Sequence, residues 1–278
     1  EEQKQRAADI LIPGAHGSFS MTEPNAGSDT LSLRTTARKD GDDYILNGTK
    51  CFATNGAYSD LYVIIATVDR SLGSKGTVAF MVEGKTPGLS VGKHENKMGL
   101  RLSNTCDLFL EDVRVPAANM LGSVGDGIKI ALGGLDTGRI YNAAVAVGIA
   151  QNALEESVAY AKTREQFGKP IIENQAIKMM LADMQIGTEA GRQLVFGAMR
   201  LLDAGVKKVS MEASCAKTFC SDNAVKVTTD AVQIFGGYGY SKEYPVEKMM
   251  RDSKIFQIFE GTNQIQRLVV SRELAKLY

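Results

Sequence analysis

The stretch IKIALGGLDTGRIYNAAVAVGIAQNALEESVAYAKTR, residues 128–164, decides the fold. Its apolar residues recur at helical spacing and its C-terminal end is charged, the pattern of a long amphipathic helix. Asn174–Leu202, Lys208–Phe235 and Thr262–Leu277 repeat that pattern. Four long helices on short connections predict an up-and-down bundle. GSVGDG (122–127), just upstream, supplies a hinge.

Before the hinge the period changes. LSLRTTAR (31–38) and YILNGTK (44–50) flank the turn cluster KDGDD and predict a hairpin. LYVIIATV (61–68), TVAFMVE (77–83) and TCDLFLEDVRV (105–115) read as further strands, punctuated by Gly76, Pro87 and Gly88. Strands at this spacing without intervening helices predict a small barrel or sandwich. The fold class is therefore α+β: a middle β-barrel or sandwich domain over 18–124, then a C-terminal four-helix domain over 125–278. The opening EEQKQR and AADILIPGAHG, residues 1–17, belong to neither.

Bulk composition narrows the function classes. The 278 residues are 44% hydrophobic and 23% charged, with a formal net charge of zero. That argues against a global electrostatic attraction to nucleic acid or a membrane surface. No apolar run approaches the ~18 residues of a membrane span. The four cysteines form no CxxC pair and there are only two histidines, so no metal site is expected. The thiols read as reduced, in a reducing compartment.

Glu260, in RDSKIFQIFEGTNQIQRLVVSREL (251–274), is the first candidate for chemistry. Phe256, Ile258 and Phe259 give it apolar surroundings, which raise a carboxyl toward the range of a general base. Gly261 adds no side chain and lets a substrate approach. The bland alternative is an acid at a helix N-terminus, with Thr262 as the cap. In LDTGRI (135–140), Asp136 and Arg139 are a site pair or an exposed helix ion pair. MTEPNAGSD (21–29) combines the hydroxyls of Thr22 and Ser28 with Gly27, suited to a ligand or simply to a loop. Arg164 in TREQFGKPI (163–171) is suited to phosphate. FGGYGY (235–240) reads as a helix stop with left-handed glycines. It lacks the G-x-G-x-x-G spacing and a preceding βαβ unit, which rejects a Rossmann reading.

Taken in order, MTEPNAGSD, LDTGRI, TREQFGKPI, IFGGYGY, EYPVEKMMRD and IFEGT resemble the acyl-CoA dehydrogenase family over almost the whole chain, in its short- and medium-chain-like branch. The resemblance implies FAD as cofactor and α,β-dehydrogenation of an acyl-CoA thioester. Glu260 matches the family's base, with Phe259 where many relatives carry Tyr. Some branches carry their base at the position matched by Gly138, which cannot serve. Phe19, Met21, Thr22, Gly27 and Ser28 match the segment along the flavin, and Phe52 and Thr54 match a second one. Arg164, Gln166, Phe167 and Gln175 match contacts to the adenine and pyrophosphate end, as do Gln233, Gly236 and Gly237. In the family both serve the FAD of a neighbouring subunit. Thr262 and Gln264 match a last flavin contact. Ser28, Asp136, Arg139 and Gly261 match the substrate side.

The resemblance further implies an electron-transfer flavoprotein as partner, a homodimer or homotetramer, and a bacterial cytoplasmic or mitochondrial matrix location. It implies that a helical N-terminal domain is missing, of which residues 1–17 are a remnant. An enoyl-CoA reductase, an oxidase or monooxygenase, and an inactive scaffold remain as alternatives.

Overall fold

The computed structural model describes all 278 residues, which form two compact units: residues 1–97 with 101–134, and residues 98–100 with 135–278.

The first unit opens with α1 (Glu2–Leu11), whose Gln3 amide donates to the carbonyls of Ala118 and Met120. Its strands are β1 (His16–Ser20), β2 (Thr36–Asp40), β3 (Asp43–Thr54), β4 (Ser59–Thr67), β5 (Thr77–Glu83), β6 (Leu89–His94), β7 (Thr105–Pro116) and β8 (Met120–Leu121). They make one sheet in the order β6-β7-β3-β2-β4-β5-β8, with β1 added parallel to β4. The expected hairpin forms as β2 and β3, antiparallel, with Thr36 opposite Asn47. Its first strand starts later than the sequence suggests, because Thr30–Ser32 turns as a 3-10 helix. Alternation places Leu46, Ile64, Phe80, Leu108 and Val113 fully inside. Short α2 (Gly127–Gly133) closes the unit.

The second unit contains α3 (Leu135–Thr163), α4 (Gln175–Asp203), α5 (Ser210–Phe235), α6 (Val246–Ser253) and α7 (Asn263–Leu274). The helical run expected from residue 128 onward breaks at Gly133 and Gly134, ending α2 before α3 begins. Two adjacent glycines carry too much backbone entropy to hold a helix there. The faces where α3 and α5 meet are small: Ala143, Ala146, Ala150 and Ala153 on one, Ala213, Ala216, Cys220 and Ala224 on the other, all at most 1% exposed. Short side chains bring two helices close over a long line. α4 adds Leu181, Met184 and Val195 to this core. No helix is long and apolar enough to cross a membrane.

Candidate active site

Glu260 lies in the turn between α6 and α7. The chain leaves α6 through a 3-10 turn at Lys254–Gln257, with Phe256 and Phe259 packed edge to face at 5.1 Å. Thr262 then caps α7, its hydroxyl accepting from the Ile265 N–H at 3.3 Å. Between them Glu260 (φ 57°) and Gly261 (φ 87°) are both left-handed. For glutamate that conformation is strained, and such strain collects at functional sites.

The turn is held by its carbonyls. The Glu260 carbonyl accepts from Arg139 Nε and Gln266 Nε2, both at 3.1 Å. The Gly261 carbonyl accepts from Lys217 Nζ at 2.8 Å and Gln266 Nε2 at 3.2 Å. The amide N–H groups of Glu260 and Gly261 donate to nothing in the chain. At Gly261 the positive φ favours glycine, and a Cβ there would stand 2.5 Å from Gln266 Nε2 and displace its amide from the turn. Glu260 Oε2 is buried with no hydrogen-bond partner. It faces Gly138, where an added Cβ would stand 3.3 Å from it. Burial raises the Glu260 carboxyl above its ordinary range, against the opposing charges of Arg139 and Lys217. The carboxylate accepts no hydrogen bond from α7; the cap of that helix is Thr262, as the helix-terminus alternative expected.

Asp136 and Arg139 do pair, Arg139 Nη1 to Asp136 Oδ1 at 3.0 Å. The pair is not exposed as a simple surface pair would be: the Arg139 side chain is 9% accessible. Asp136 is also bonded by the Ser210 hydroxyl, and Arg139 reaches on to the Glu260 carbonyl. Beside the turn, Thr262 and Gln264 line a cleft of about 610 Å³ with Asp222, Lys254, Gln257 and Arg267.

In the sheet unit, the two stretches singled out from the sequence come together. The Cys51 N–H donates to the Thr22 carbonyl at 2.8 Å, and the Ser18 hydroxyl donates to the Thr54 carbonyl at 2.8 Å. Met21 and Thr22 thus lie along the end of β3. An irregularity in the β3–β7 pairing turns Phe52 to φ 56° and leaves it 65% exposed, while Phe19 on β1 is 43% exposed. Gly27 and Ser28 are exposed, and nothing in the chain lies within 4 Å of a Cβ at Gly27. Two residues hold this arrangement that sequence reasoning did not single out. Lys50, completely buried, donates to Glu23 Oε1 at 2.7 Å and to the Met21 carbonyl at 3.2 Å. Glu23 also accepts from the Arg34 and Thr35 N–H groups.

A third group lies in the helical unit. Arg164, Gln166, Phe167 and Asn174 line a groove of about 600 Å³ with Phe235, Gly236, Gly237 and Tyr238. Phe167 and Gly168, both with positive φ, form the tip of a hairpin between β9 (Glu165–Gln166) and β10 (Lys169–Pro170), and Phe167 is 95% exposed. Arg164 has no carboxylate partner and stands 5.7 Å over the Tyr238 ring. Gly236 ends α5 as expected, but at φ 62°, ψ −136° it lies outside the left-handed helical region, and only glycine tolerates it. Gln175, at the start of α4, and Gln233, on the last turn of α5, are exposed and do not line this groove. Nor does Glu260: the groove and the Glu260 turn are separate places in this chain. No group of three metal-ligating side chains stands together.

Each group suits part of a flavin dinucleotide on its own chemistry. In the sheet unit, exposed Phe19 and Phe52 offer apolar surface to a ring. In the helical unit, Arg164 is an unpaired cation over an open groove with glycines on its wall, suited to a pyrophosphate.

Comparisons with known proteins bear on the family. Family models described as "Acyl-CoA dehydrogenase, middle domain" and "Acyl-CoA dehydrogenase, C-terminal domain" match residues 18–113 and 125–275. An acyl-CoA dehydrogenase of Bacillus subtilis (strain 168) is 52% identical over 275 residues, covering 99% of this chain and 72% of the relative. The solved butyryl-CoA dehydrogenase of Megasphaera elsdenii superposes with a TM-score of 0.95 at 48% identity, over 98% of this chain and 72% of that one. A chain in a structure described as the electron transferring flavoprotein of Acidaminococcus fermentans gives 0.95 at 51%, again over 98% and 72%.

Proposed function

Because this chain belongs to the acyl-CoA dehydrogenase family, we propose that it removes two hydrogens from a short acyl-CoA thioester, with Glu260 as the base. The observation that carries this reading is the buried Glu260 Oε2, partnerless and opposite the side-chain-free Gly138. A carboxylate so placed is short of hydrogen bonds and ready to accept a proton.

Glu260 takes the α-proton onto its carboxylate as the α-carbon–hydrogen bond breaks, and a β-hydride leaves as the carbon–carbon double bond forms. FAD, when bound, supplies the two-electron acceptor for that hydride. The unused Glu260 N–H is a donor for the thioester oxygen, where negative charge develops. Arg139 and Gln266 fix the peptide that carries it. Asp136 serves the substrate side through Arg139. In the sheet unit, Phe19, Met21, Thr22, Gly27, Ser28, Phe52 and Thr54 are flavin contacts, with Ser28 also a contact of the CoA moiety. In the helical unit, Thr262 and Gln264 match a flavin contact of the family. Arg164 and its groove, with Gln175 and Gln233 nearby in sequence, hold the dinucleotide end of a partner's FAD in a dimer or tetramer. The electrons pass to an electron-transfer flavoprotein. The short acyl group and this partner are favoured by the butyryl-CoA dehydrogenase and flavoprotein structures among the relatives.

The test is anaerobic bleaching of the flavin absorbance by butyryl-CoA. Glu260→Gln keeps the shape and cannot accept a proton. It should retain flavin and bleach about 10²–10⁴-fold more slowly. Bleaching within a few-fold of the unaltered protein would remove Glu260 from the role.

A further inference from the structure

Three side chains from three helices meet the carbonyls of the Glu260 turn: Arg139 from α3, Lys217 from α5 and Gln266 from α7. Lys217 stands apart from the other two. It is 1% exposed, and its ammonium bonds only the Gly261 carbonyl and the Asn263 side-chain oxygen, each at 2.8 Å. Both acceptors are neutral. Burial, and then the charge of Arg139, push the ammonium down to about 8 from the ordinary 10.5. A buried cation without a carboxylate in contact is costly, and a neutral side chain would fill the same volume more cheaply.

The orientation of Asn263 is not arbitrary either. Its amide nitrogen donates to Ser221 Oγ at 2.9 Å and Asp222 Oδ1 at 2.7 Å, which leaves its oxygen for Lys217. Asp222 is in turn bonded by Gln257 and Arg267. Lys217 therefore joins the left-handed pair Glu260–Gly261 to a fixed first turn of α7.

We propose that Lys217 is a positioning residue for the reaction: it pins the Gly261 carbonyl and Asn263, so that the Glu260 carboxylate is held opposite Gly138 and the Glu260 N–H stays free for substrate. The inference rests on Glu260 being the base. Geometry is one half of the role and charge is the other. The charged groups on the surrounding helices are Asp136 and Arg139 on α3, Lys217 and Asp222 on α5, and Arg267 and Arg272 on α7. Of these, Arg139 and Lys217 act on Glu260, and both oppose the upward push of burial. Removing one cation leaves burial less opposed, so Glu260 then ionises at higher pH.

The experiment compares Lys217→Met and Lys217→Gln with the unaltered, flavin-loaded protein, with Glu260→Gln in parallel. Flavin content, thermal midpoint and the rate of bleaching by butyryl-CoA are followed across pH. Both lysine variants should retain flavin. The plateau rate should fall about 100-fold in Lys217→Met, and less in Lys217→Gln, which returns a donor to the turn. The acid limb of the pH–rate profile should move to higher pH in both. An unchanged plateau would overturn the proposal, as would an acid limb that stays in place while the rate falls, the signature of a purely structural residue. Failure of both variants to fold or to hold flavin would also overturn it. If instead Glu260→Gln bleaches at the unaltered rate, it is the base assignment that has failed, and that result is read on a separate variant.

Discussion

Lys50 in the sheet unit and Lys217 in the helical unit are both at most 1% exposed, and both reach the backbone carbonyl of a turn, Met21 in one and Gly261 in the other. They differ in what else they touch. Lys50 meets the Glu23 carboxylate at 2.7 Å. Burial alone would raise the Glu23 carboxyl, but the Lys50 charge and the hydrogen bonds around it prevail and hold it below its usual range. The two charges largely cancel at a distance, and the pair acts as scaffold. Lys217 touches no carboxylate; the charges of Asp222 and then Glu260 act on it only through space, and its own charge acts on Glu260. On the proposal above, the buried lysine in contact with a carboxylate fixes shape, and the one without that contact also acts on the charge state of a neighbour.

The largest expected effect breaks the sheet-unit pair. Lys50→Met leaves Glu23 buried and uncompensated, which should cost about 3–5 kcal/mol. Urea denaturation measures it, and a cost below about 1 kcal/mol would show that Glu23 finds another partner. The double variant with Glu23→Gln should recover part of the loss.

Next comes a pH test of Lys217. Its folded value of about 8 lies below the ordinary 10.5, so between those values the unfolded chain binds more protons than the folded one. Stability therefore rises with pH in that window. The contribution is on the order of 3 kcal/mol. It should appear as a loss of urea-unfolding free energy by the unaltered protein relative to Lys217→Met as pH falls from about 10.5 to about 8. A difference that does not change with pH would mean that Lys217 keeps its charge as easily folded as unfolded.

The smallest effect separates the cap from the clamp. Thr262→Ala removes the hydroxyl that accepts from Ile265 N–H, and should lower the unfolding free energy by about 1 kcal/mol. A much larger loss would mean that the cap, rather than the three buried donors, holds the turn.

Period and punctuation made much of this molecule legible. TVAFMVE is β5 residue for residue, and the long helical patterns became α3, α4, α5 and α7. β1 was not legible because HGSFS buries its two serines and exposes its phenylalanine, the reverse of the usual reading. β6 (LSVGKH) buries nothing fully, and α6 has only eight residues. In the site, Glu260, Thr262, Arg139 and Gly261 lie in local motifs and could be singled out directly. Glu23, Lys50, Lys217 and Gln266 could not, since a charged or amide side chain in an amphipathic segment reads as solvated. One signal was available for Lys217: it falls on the stripe Ala213, Ala216, Cys220 and Ala224, the buried face of α5.

Gly138 and Glu260 open onto the same few ångströms of space from different parts of the chain. On the reading that Glu260 is the base, a carboxylate carried at position 138 would reach the same space, as the resemblance expects of other family branches. Two carboxylates crowded there would share a proton and leave one ionised. The role would then belong to a location in space that either position can fill.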